Sequence, residues 1–176
     1  MIQNEVTENI YSRRSIRRFS EKTIPEESVE TLLECARFAP SGLNNQPWRF
    51  IVVDDSALRT EISLLTHYSD IILSAPLLIS VFLDTASSYH REKDLMAVGA
   101  SIQNILLAAH SFKLGAVWLG EILKNKENVS KILNAPDHFE LAAVIAVGYP
   151  AENLSNDKTD RKPLNEIAFK NSYQVD

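Results

Sequence analysis

The spacing of apolar residues along the chain predicts several helices. Pro25 and two acidic residues open a segment whose apolar side chains recur on one helical face, and this pattern ends at Pro40. The longest helical pattern runs from about Glu92 to Phe112, where apolar residues cover much of the circumference. Shorter helices are predicted at residues 2–11, 56–66 and 126–133.

Runs of β-branched and aromatic residues predict strands between these helices. Such runs occur at residues 48–53, 77–83, 115–119 and 141–147. Helices and strands thus alternate around one sheet, which predicts an α/β or α+β fold in a single domain spanning residues 1–176. The segment 151–162 is too weakly apolar to fold alone, so we expect it either to fray or to lie on another subunit.

Composition narrows the classes of function. The 176 residues are 45% apolar and 23% charged, as in ordinary globular domains, and the net charge of −5 argues against a dedicated binder of nucleic acid or membrane surfaces. A single cysteine, Cys35, excludes a disulfide framework and a zinc site built from several cysteines. The first residues show no apolar signal core, so we expect a cytoplasmic protein.

An unusual basic segment follows the first predicted helix. Four of the nine arginines fall at residues 13–18, in the order Arg13-Arg14-Ser15-Ile16-Arg17-Arg18. Alternate residues of an extended chain point the same way, so Arg13, Ser15 and Arg17 can converge on one ligand. A phosphate suits two guanidinium groups and a hydroxyl. A solvated basic patch without a ligand is the alternative.

A loop rich in amides lies between Pro40 and Trp48. Its residues Asn44, Asn45 and Gln46 cannot pack into a core without hydrogen-bond partners. As a ligand loop, they offer both donors and acceptors to a planar heterocycle. The alternative is a plain turn, which serine and asparagine also favour.

Two later features are weaker when taken alone. Trp118-Leu119-Gly120-Glu121 ends a predicted strand, where Gly120 would let a ligand approach a backbone N–H group. A plain turn is the alternative. Arg161 is a lone cation in the polar tail, where a solvated charge is the alternative to a ligand contact.

No side chains are spaced as a metal site, a nucleophile or an acid–base pair. The four histidines are scattered along the chain, with no H-E-x-x-H pattern and no cysteine beside them. We therefore expect no metal and no catalytic residue from the chain itself, and we expect a bound cofactor to supply the chemistry.

Together these segments resemble the FMN-dependent nitroreductase family over almost the whole chain. The motifs are R-R-S-I-R-R-F, A-P-S-G-L-N-N-Q-P-W, L-G-A-V-W-L-G and R-K-P-L, in the order found in that family. The resemblance implies that Arg13, Ser15, Arg17 and Arg161 hold the FMN phosphate and ribityl chain, with Arg14 contributing its backbone. It also implies a loop along the cofactor, formed by Pro40, Ser41, Gly42, Asn44 and Gln46, and a backbone N–H group near flavin N5 from Leu119 and Gly120.

The resemblance further implies a function and an assembly. It implies an enzyme that passes hydride from NADH or NADPH through flavin N5 to a nitroaromatic, quinone or similar acceptor, by a ping-pong mechanism. It implies a mainly antiparallel central sheet flanked by helices, in a homodimer whose C-terminal segments, about residues 151–176, pack on the partner subunit. The alternatives are a flavin-binding sensor without turnover, and a specialised reaction such as dehalogenation or flavin destruction.

Overall fold

A four-stranded sheet forms the centre of the protein in the computed structural model, which describes residues 2–151 and 160–173. Residues 152–159, which hold most of the predicted polar segment, lie outside the described residues. The strands are β1 (Trp48–Val53), β2 (Leu77–Asp84), β3 (Gly115–Leu119) and β4 (Phe139–Gly148). Their order is β1-β2-β4-β3, and each neighbouring pair is antiparallel. The predicted antiparallel sheet is confirmed.

Six α-helices flank this sheet within the described residues. They are α1 (Glu5–Ser12), α2 (Glu26–Arg37), α3 (Ser56–Ser63), α4 (Ser69–Ser74), α5 (Arg91–Ser111) and α6 (Lys126–Ile132). Short 3₁₀ turns occur at Gly42–Asn44, Glu121–Asn125 and Leu164–Glu166. Over this part of the chain, no helix is both long enough and apolar enough to span a membrane.

The helices cover the two faces of the sheet in separate layers. Helices α2 and α5 pack on the face that carries Ile79 and Val81, while α3, α4 and α6 pack on the face that carries Leu78 and Phe82. Every residue of β2 is buried, because this strand lies between β1 and β4 with helices on both sides. The core therefore forms two layers, one on each side of the sheet.

Helix α5 is the longest element, and part of its surface is left uncovered. Its buried side faces α2 and the sheet. A stripe of partly or fully exposed residues runs along the other side, and we call it the α5 stripe: Met96, Gly99, Ala100, Gln103 and Leu107. Spacings of three and four residues place these side chains on one helical face. Met96 is 73% exposed, although it is a large apolar residue.

The N-terminal segment crosses one end of the sheet where two glycines allow close approach. Gly115 and Gly148 are partners in the β3–β4 register. A Cβ atom on Gly115 would lie 2.6 Å from Ile16, and one on Gly148 would lie 2.9 Å from Phe19. The Ile16 N–H group donates to the Ala116 carbonyl at 3.1 Å. This crossing, with bridges from Ser15 to Ala116 and from Phe19 to Pro150, holds residues 15–19 against the end of the sheet.

Candidate functional site

A cluster of basic residues lies where α1 meets the last turns of α5. The Asn9 side chain donates to the Leu107 carbonyl at 3.0 Å, and Ser12 Oγ lies 2.8 Å from His110 Nε2. Arg13 follows directly as the C-cap residue of α1. Burial lowers the pKa of Arg13, and the positive charges of Arg161 and Arg14 lower it further. We call Arg13, Arg14, His110 and Arg161 the basic cluster.

The electrostatics of the basic cluster favour an anionic ligand. Arginine stays protonated near neutral pH even when its pKa is lowered, so three like charges repel one another at this site. Burial, Arg13 and Arg14 also lower the pKa of His110. A phosphate group would relieve this repulsion and accept charge-assisted hydrogen bonds from the guanidinium groups. The arrangement therefore fits the predicted phosphate site.

The four arginines of the basic segment take different positions. Arg14 Nη1 donates to the carbonyls of Tyr11 at 2.7 Å and Arg13 at 2.8 Å, so its side chain caps the end of α1. Arg17 and Arg18 are exposed, whereas Arg13 and Ser15 are half-buried. The charge of Arg161 thus acts on Arg13, whereas Arg17 lies nearer to solvent.

No sequence motif predicts a role for His110. Its hydrogen bond with Ser12 shows how the imidazole ring is held. The Ser12 hydroxyl donates to the Glu8 carbonyl at 2.7 Å. Because a hydroxyl has only one hydrogen to donate, His110 Nε2 must donate to Ser12 Oγ. The unprotonated Nδ1 atom is then the position at which His110 can take up a proton.

The amide-rich loop is wound tightly at the start of β1. Leu43, Asn44 and Gln46 have positive φ angles of 54°, 54° and 47°, a region that L-residues other than asparagine and aspartate visit infrequently. The Gln46 N–H group donates to Ser41 Oγ at 3.0 Å, which closes the loop. Gly42 carries no Cβ atom, and one placed there would overlap the Tyr89 hydroxyl.

Side chains from outside the loop hold it in this shape. Asn45 Nδ2 donates to Asp94 Oδ1 at 2.9 Å and to the Ser87 carbonyl at 3.3 Å. Arg49 Nη1 donates to the Gln46 carbonyl at 3.1 Å, and its Nη2 lies 2.6 Å from Asp84 Oδ2. The sequence shows Asn45 only as one amide among three. No sequence motif predicts Asp94 or Arg49, because their contacts form only in the folded chain.

The turn after β3 is open on the side of Gly120. Leu119 is buried in the core, whereas Gly120 is exposed, and a Cβ atom there would meet only Trp118 Nε1 at 4.0 Å. Glu121 anchors the turn by accepting from Thr66 Oγ1 at 2.6 Å and from the His67 N–H group at 3.3 Å. A hydrogen-bonded ion pair with Lys124, together with these bonds, lowers the pKa of Glu121 to about 2. The backbone beside Gly120 is therefore fixed and accessible.

One chain does not bring all the predicted site residues together. The basic cluster includes His110, near the end of α5, whereas the loop of Pro40, Ser41, Gly42, Asn44 and Gln46 is held through Asn45 to Asp94, near its start. These two residues are sixteen positions apart on α5, which corresponds to about 24 Å along the helix. The two groups of residues therefore lie near opposite ends of α5.

Comparison with known proteins decides the family. The model of the Nitroreductase family matches residues 10–69 and 63–149, which together cover most of the chain. The chain belongs to the nitroreductase family. A relative from Methanothermobacter thermautotrophicus, named for NADH dehydrogenase/NAD(P)H nitroreductase activity, is 38% identical over 85% of this chain and 79% of its own length.

Two further similarities extend this result. An iodotyrosine deiodinase from Thermotoga neapolitana is 31% identical over 88% of this chain and 91% of its own length. A crystal structure of a nitroreductase-type protein from Desulfovibrio desulfuricans, in complex with FMN, matches with a TM-score of 0.90 at 39% identity. That match covers 98% of this chain and 100% of the other chain.

These similarities confirm the family and the enzyme class that the sequence motifs predicted. They also support the fold, since the D. desulfuricans structure covers nearly the whole nitroreductase chain. They do not assign roles to single residues. The contacts predicted for the basic cluster, for the amide-rich loop and for the turn at Gly120 stay predictions, as does the exchange of C-terminal segments between subunits.

Proposed function

We propose that this nitroreductase binds FMN and transfers hydride from NADH or NADPH to a nitroaromatic, quinone or similar small acceptor. The observation that carries the proposal is the basic cluster, in which the positive charges of Arg14 and Arg161 act on the half-buried Arg13 where α1 meets α5. When bound, FMN supplies the hydride-transfer chemistry, and donor and acceptor react in turn in a ping-pong sequence. The chain supplies binding, orientation and electrostatics.

Three groups of residues fit three parts of FMN: the phosphate, the N5 atom and the isoalloxazine ring. Arg13 and Arg161 would hold the phosphate, since guanidinium groups form paired hydrogen bonds with its oxygens. The exposed turn at Gly120 would place a backbone N–H group near flavin N5, since Gly120 itself carries no side chain. Ser41, Asn44 and Gln46 would border the isoalloxazine ring with donors and acceptors of hydrogen bonds.

The proposal includes a homodimer, because the site is divided along α5. The α5 stripe runs from Met96 to Leu107, and its centre lies near Ile102, midway between Asp94 and His110. Two copies of α5 that pack antiparallel through this stripe would place the Asp94 end of one helix beside the His110 end of the other. Each flavin would then bind between the basic cluster of one chain and the amide-rich loop of its partner.

The C-terminal segment gives a second reason for a homodimer. All described residues from 160 to 173 are exposed in the single chain, including large apolar side chains. Leu164 is 74% exposed and Tyr173 is 72% exposed. We propose that a partner subunit covers this segment, since isolated exposed apolar stretches of this kind mark interaction surfaces. The cytoplasmic location expected from the sequence remains a prediction.

The direct test of the proposed function uses purified protein under anaerobic conditions. We expect a yellow protein that releases FMN, and not FAD, into the supernatant after heat denaturation. Addition of NADH or NADPH should bleach the flavin absorbance, and a quinone or nitroaromatic compound should restore it. A colourless protein that takes up no added FMN would contradict the proposal, and a yellow protein that neither donor bleaches would favour a flavin-binding sensor.

Reductive dehalogenation is a second candidate, favoured by the similarity to the T. neapolitana deiodinase. In this chain β2 and α5 are joined by the short connection Thr85–His90. This connection is folded back onto Asp94 and offers little chain to cover a bound phenol. An iodinated phenol should therefore reoxidise the bleached flavin more slowly than a quinone does. Faster reoxidation by the iodinated phenol would favour the second candidate.

A further inference from the structure

Asp94 is a buried carboxylate that the proposed hydride transfer does not use. It lies in the first turn of α5 and its exposed fraction is 0%. A carboxylate is rarely buried in this way unless hydrogen bonds compensate the loss of hydration. The groups that compensate Asp94 therefore indicate what the residue does.

Two separate segments donate hydrogen bonds to Asp94. Oδ2 accepts from Ser88 Oγ at 2.7 Å and from the N–H groups of Tyr89 at 3.0 Å and His90 at 3.2 Å. Oδ1 accepts from Asn45 Nδ2 at 2.9 Å. Burial raises the pKa of Asp94, but these hydrogen bonds outweigh it and hold the pKa below its ordinary value. The residue is thus a charged acceptor shared by the β2–α5 connection and the amide-rich loop.

We propose that Asp94 is a positioning residue for cofactor binding, which acts through Asn45 on the amide-rich loop. The proposal rests on the proposed FMN function. It assigns to Asp94 the task of holding Ser41, Gly42 and Asn44 in the shape that a flavin ring meets, before the flavin arrives.

The loop needs such a tie because its own backbone is strained. Three of its residues occupy the left-handed region, and each non-glycine residue there is held only when its surroundings fix it. Asn45 Oδ1 is buried and has no hydrogen-bond partner in the described part of the chain, so the bonds of Nδ2 orient this amide. Asp94 also fixes the backbone of Tyr89, whose side chain packs against Gly42.

The proposal assigns the effect on FMN binding to Oδ1, the oxygen that Asn45 contacts. Asp94→Asn keeps the shape but replaces one acceptor oxygen with a donor. Because three donors face Oδ2 and one faces Oδ1, the amide oxygen should take the Oδ2 position, and the bond to Asn45 should be lost. Asn45→Ala removes the tie and leaves the three other donors to Asp94 in place. We expect each variant to weaken FMN binding to apoprotein at least about tenfold, because the loop is no longer preorganised.

Ser88→Ala is the matched control. It removes one donor to Oδ2 but leaves the bond between Asp94 and Asn45 intact. We expect it to lower the thermal midpoint of the apoprotein and to change the FMN dissociation constant less than twofold. Asp94→Asn and Asn45→Ala remove the same hydrogen bond. The double variant should therefore bind FMN no more weakly than the single variant with the lower affinity.

The measurements are FMN titration by flavin fluorescence and the visible spectrum of the bound flavin, for each variant and the wild type. A shifted flavin spectrum in Asn45→Ala, with Ser88→Ala unchanged, supports a positioning role. The proposal is overturned if the FMN dissociation constant of Asn45→Ala is within twofold of the wild-type value. It is also overturned if Ser88→Ala weakens FMN binding as much as Asn45→Ala does. A wild-type protein that binds no FMN would instead refute the proposed function.

Discussion

At the scale of single residues, the basic cluster is a concentration of like charge in a chain whose net charge is −5. Burial lowers the pKa of Arg13, and burial also lowers the pKa of His110. The neighbouring positive charges lower both pKa values further, so these charges also repel one another. Repulsion of this kind opposes folding, and a bound anion would offset it.

Arg13→Ala tests this explanation. We expect FMN affinity to fall by roughly 1.5–3 kcal/mol, because a charge-assisted contact is lost. The apoprotein should be no less stable, since the substitution also removes repulsion with Arg14 and Arg161. Arg18→Ala is the control, because Arg18 lies on the same segment and is exposed. FMN titration and urea unfolding measure the two effects, and equal FMN affinity in both variants would refute the phosphate assignment.

His110 should make the stability of the apoprotein depend on pH. Its pKa is lowered on folding, so the unfolded chain takes up a proton at a higher pH than the folded chain does. The free energy of unfolding should therefore be fully retained above the ordinary histidine pKa of about 6.5 and should fall as the pH drops below it. His110→Gln, which retains a donor for Ser12, should flatten this part of the profile in urea unfolding experiments. A profile with the same slope in both proteins would contradict this role.

At the scale of secondary structure, α5 connects the amide-rich loop to the basic cluster. Its first turn holds the amide-rich loop through Asp94, and its last turn holds the end of α1 through His110. The α5 stripe between them combines the small residues Gly99 and Ala100 with Met96 and Leu107. Small residues let two helix backbones approach closely, which suits a symmetric contact between two copies of α5.

Ala100→Glu should disrupt this contact. A carboxylate near the middle of the α5 stripe would lie close to its own copy across an antiparallel pair, and both repulsion and lost hydration oppose that arrangement. We expect monomers in light scattering and loss of bound FMN. Ala57→Glu on α3 is the matched control, since Ala57 is exposed on another helix. A yellow Ala100→Glu dimer would show that the stripe is not the interface.

Local patterns predicted most elements but not all of them. Strands β1 and β3 have the predicted bounds, and α5 begins and ends one residue earlier than predicted. Strand β4 extends two residues further at its start and one at its end, because its pairing with β2 continues to Phe139. Helix α4 was not predicted, since it has only six residues and its N-cap residue Tyr68 forms no side-chain cap. Its packing against the sheet and α3 determines this helix.

At the scale of the whole molecule, the sequence predicts the residues proposed to contact the ligand better than it predicts the residues that hold them in place. The arginines, the amide-rich loop and the turn at Gly120 are visible as motifs because each is local in the chain. Asp94 and His110 are not visible, because their partners Asn45 and Ser12 lie 49 and 98 residues away. Long-range hydrogen bonds of this kind form only after the fold has brought the elements together.

The central claim is that each FMN site combines the basic cluster of one chain with the loop of its partner. Two variants that each lack one half can test it: Arg13→Ala with Arg161→Ala, and Gly42→Val, whose side chain would overlap Tyr89. Neither homodimer should retain FMN.

Mixed dimers of these two variants, isolated with two different affinity tags, give the decisive measurement. Their flavin absorbance relative to protein should be half that of the wild type, because one of the two sites pairs an intact cluster with an intact loop. Mixed dimers without FMN would show that each chain builds its own site and would contradict the account.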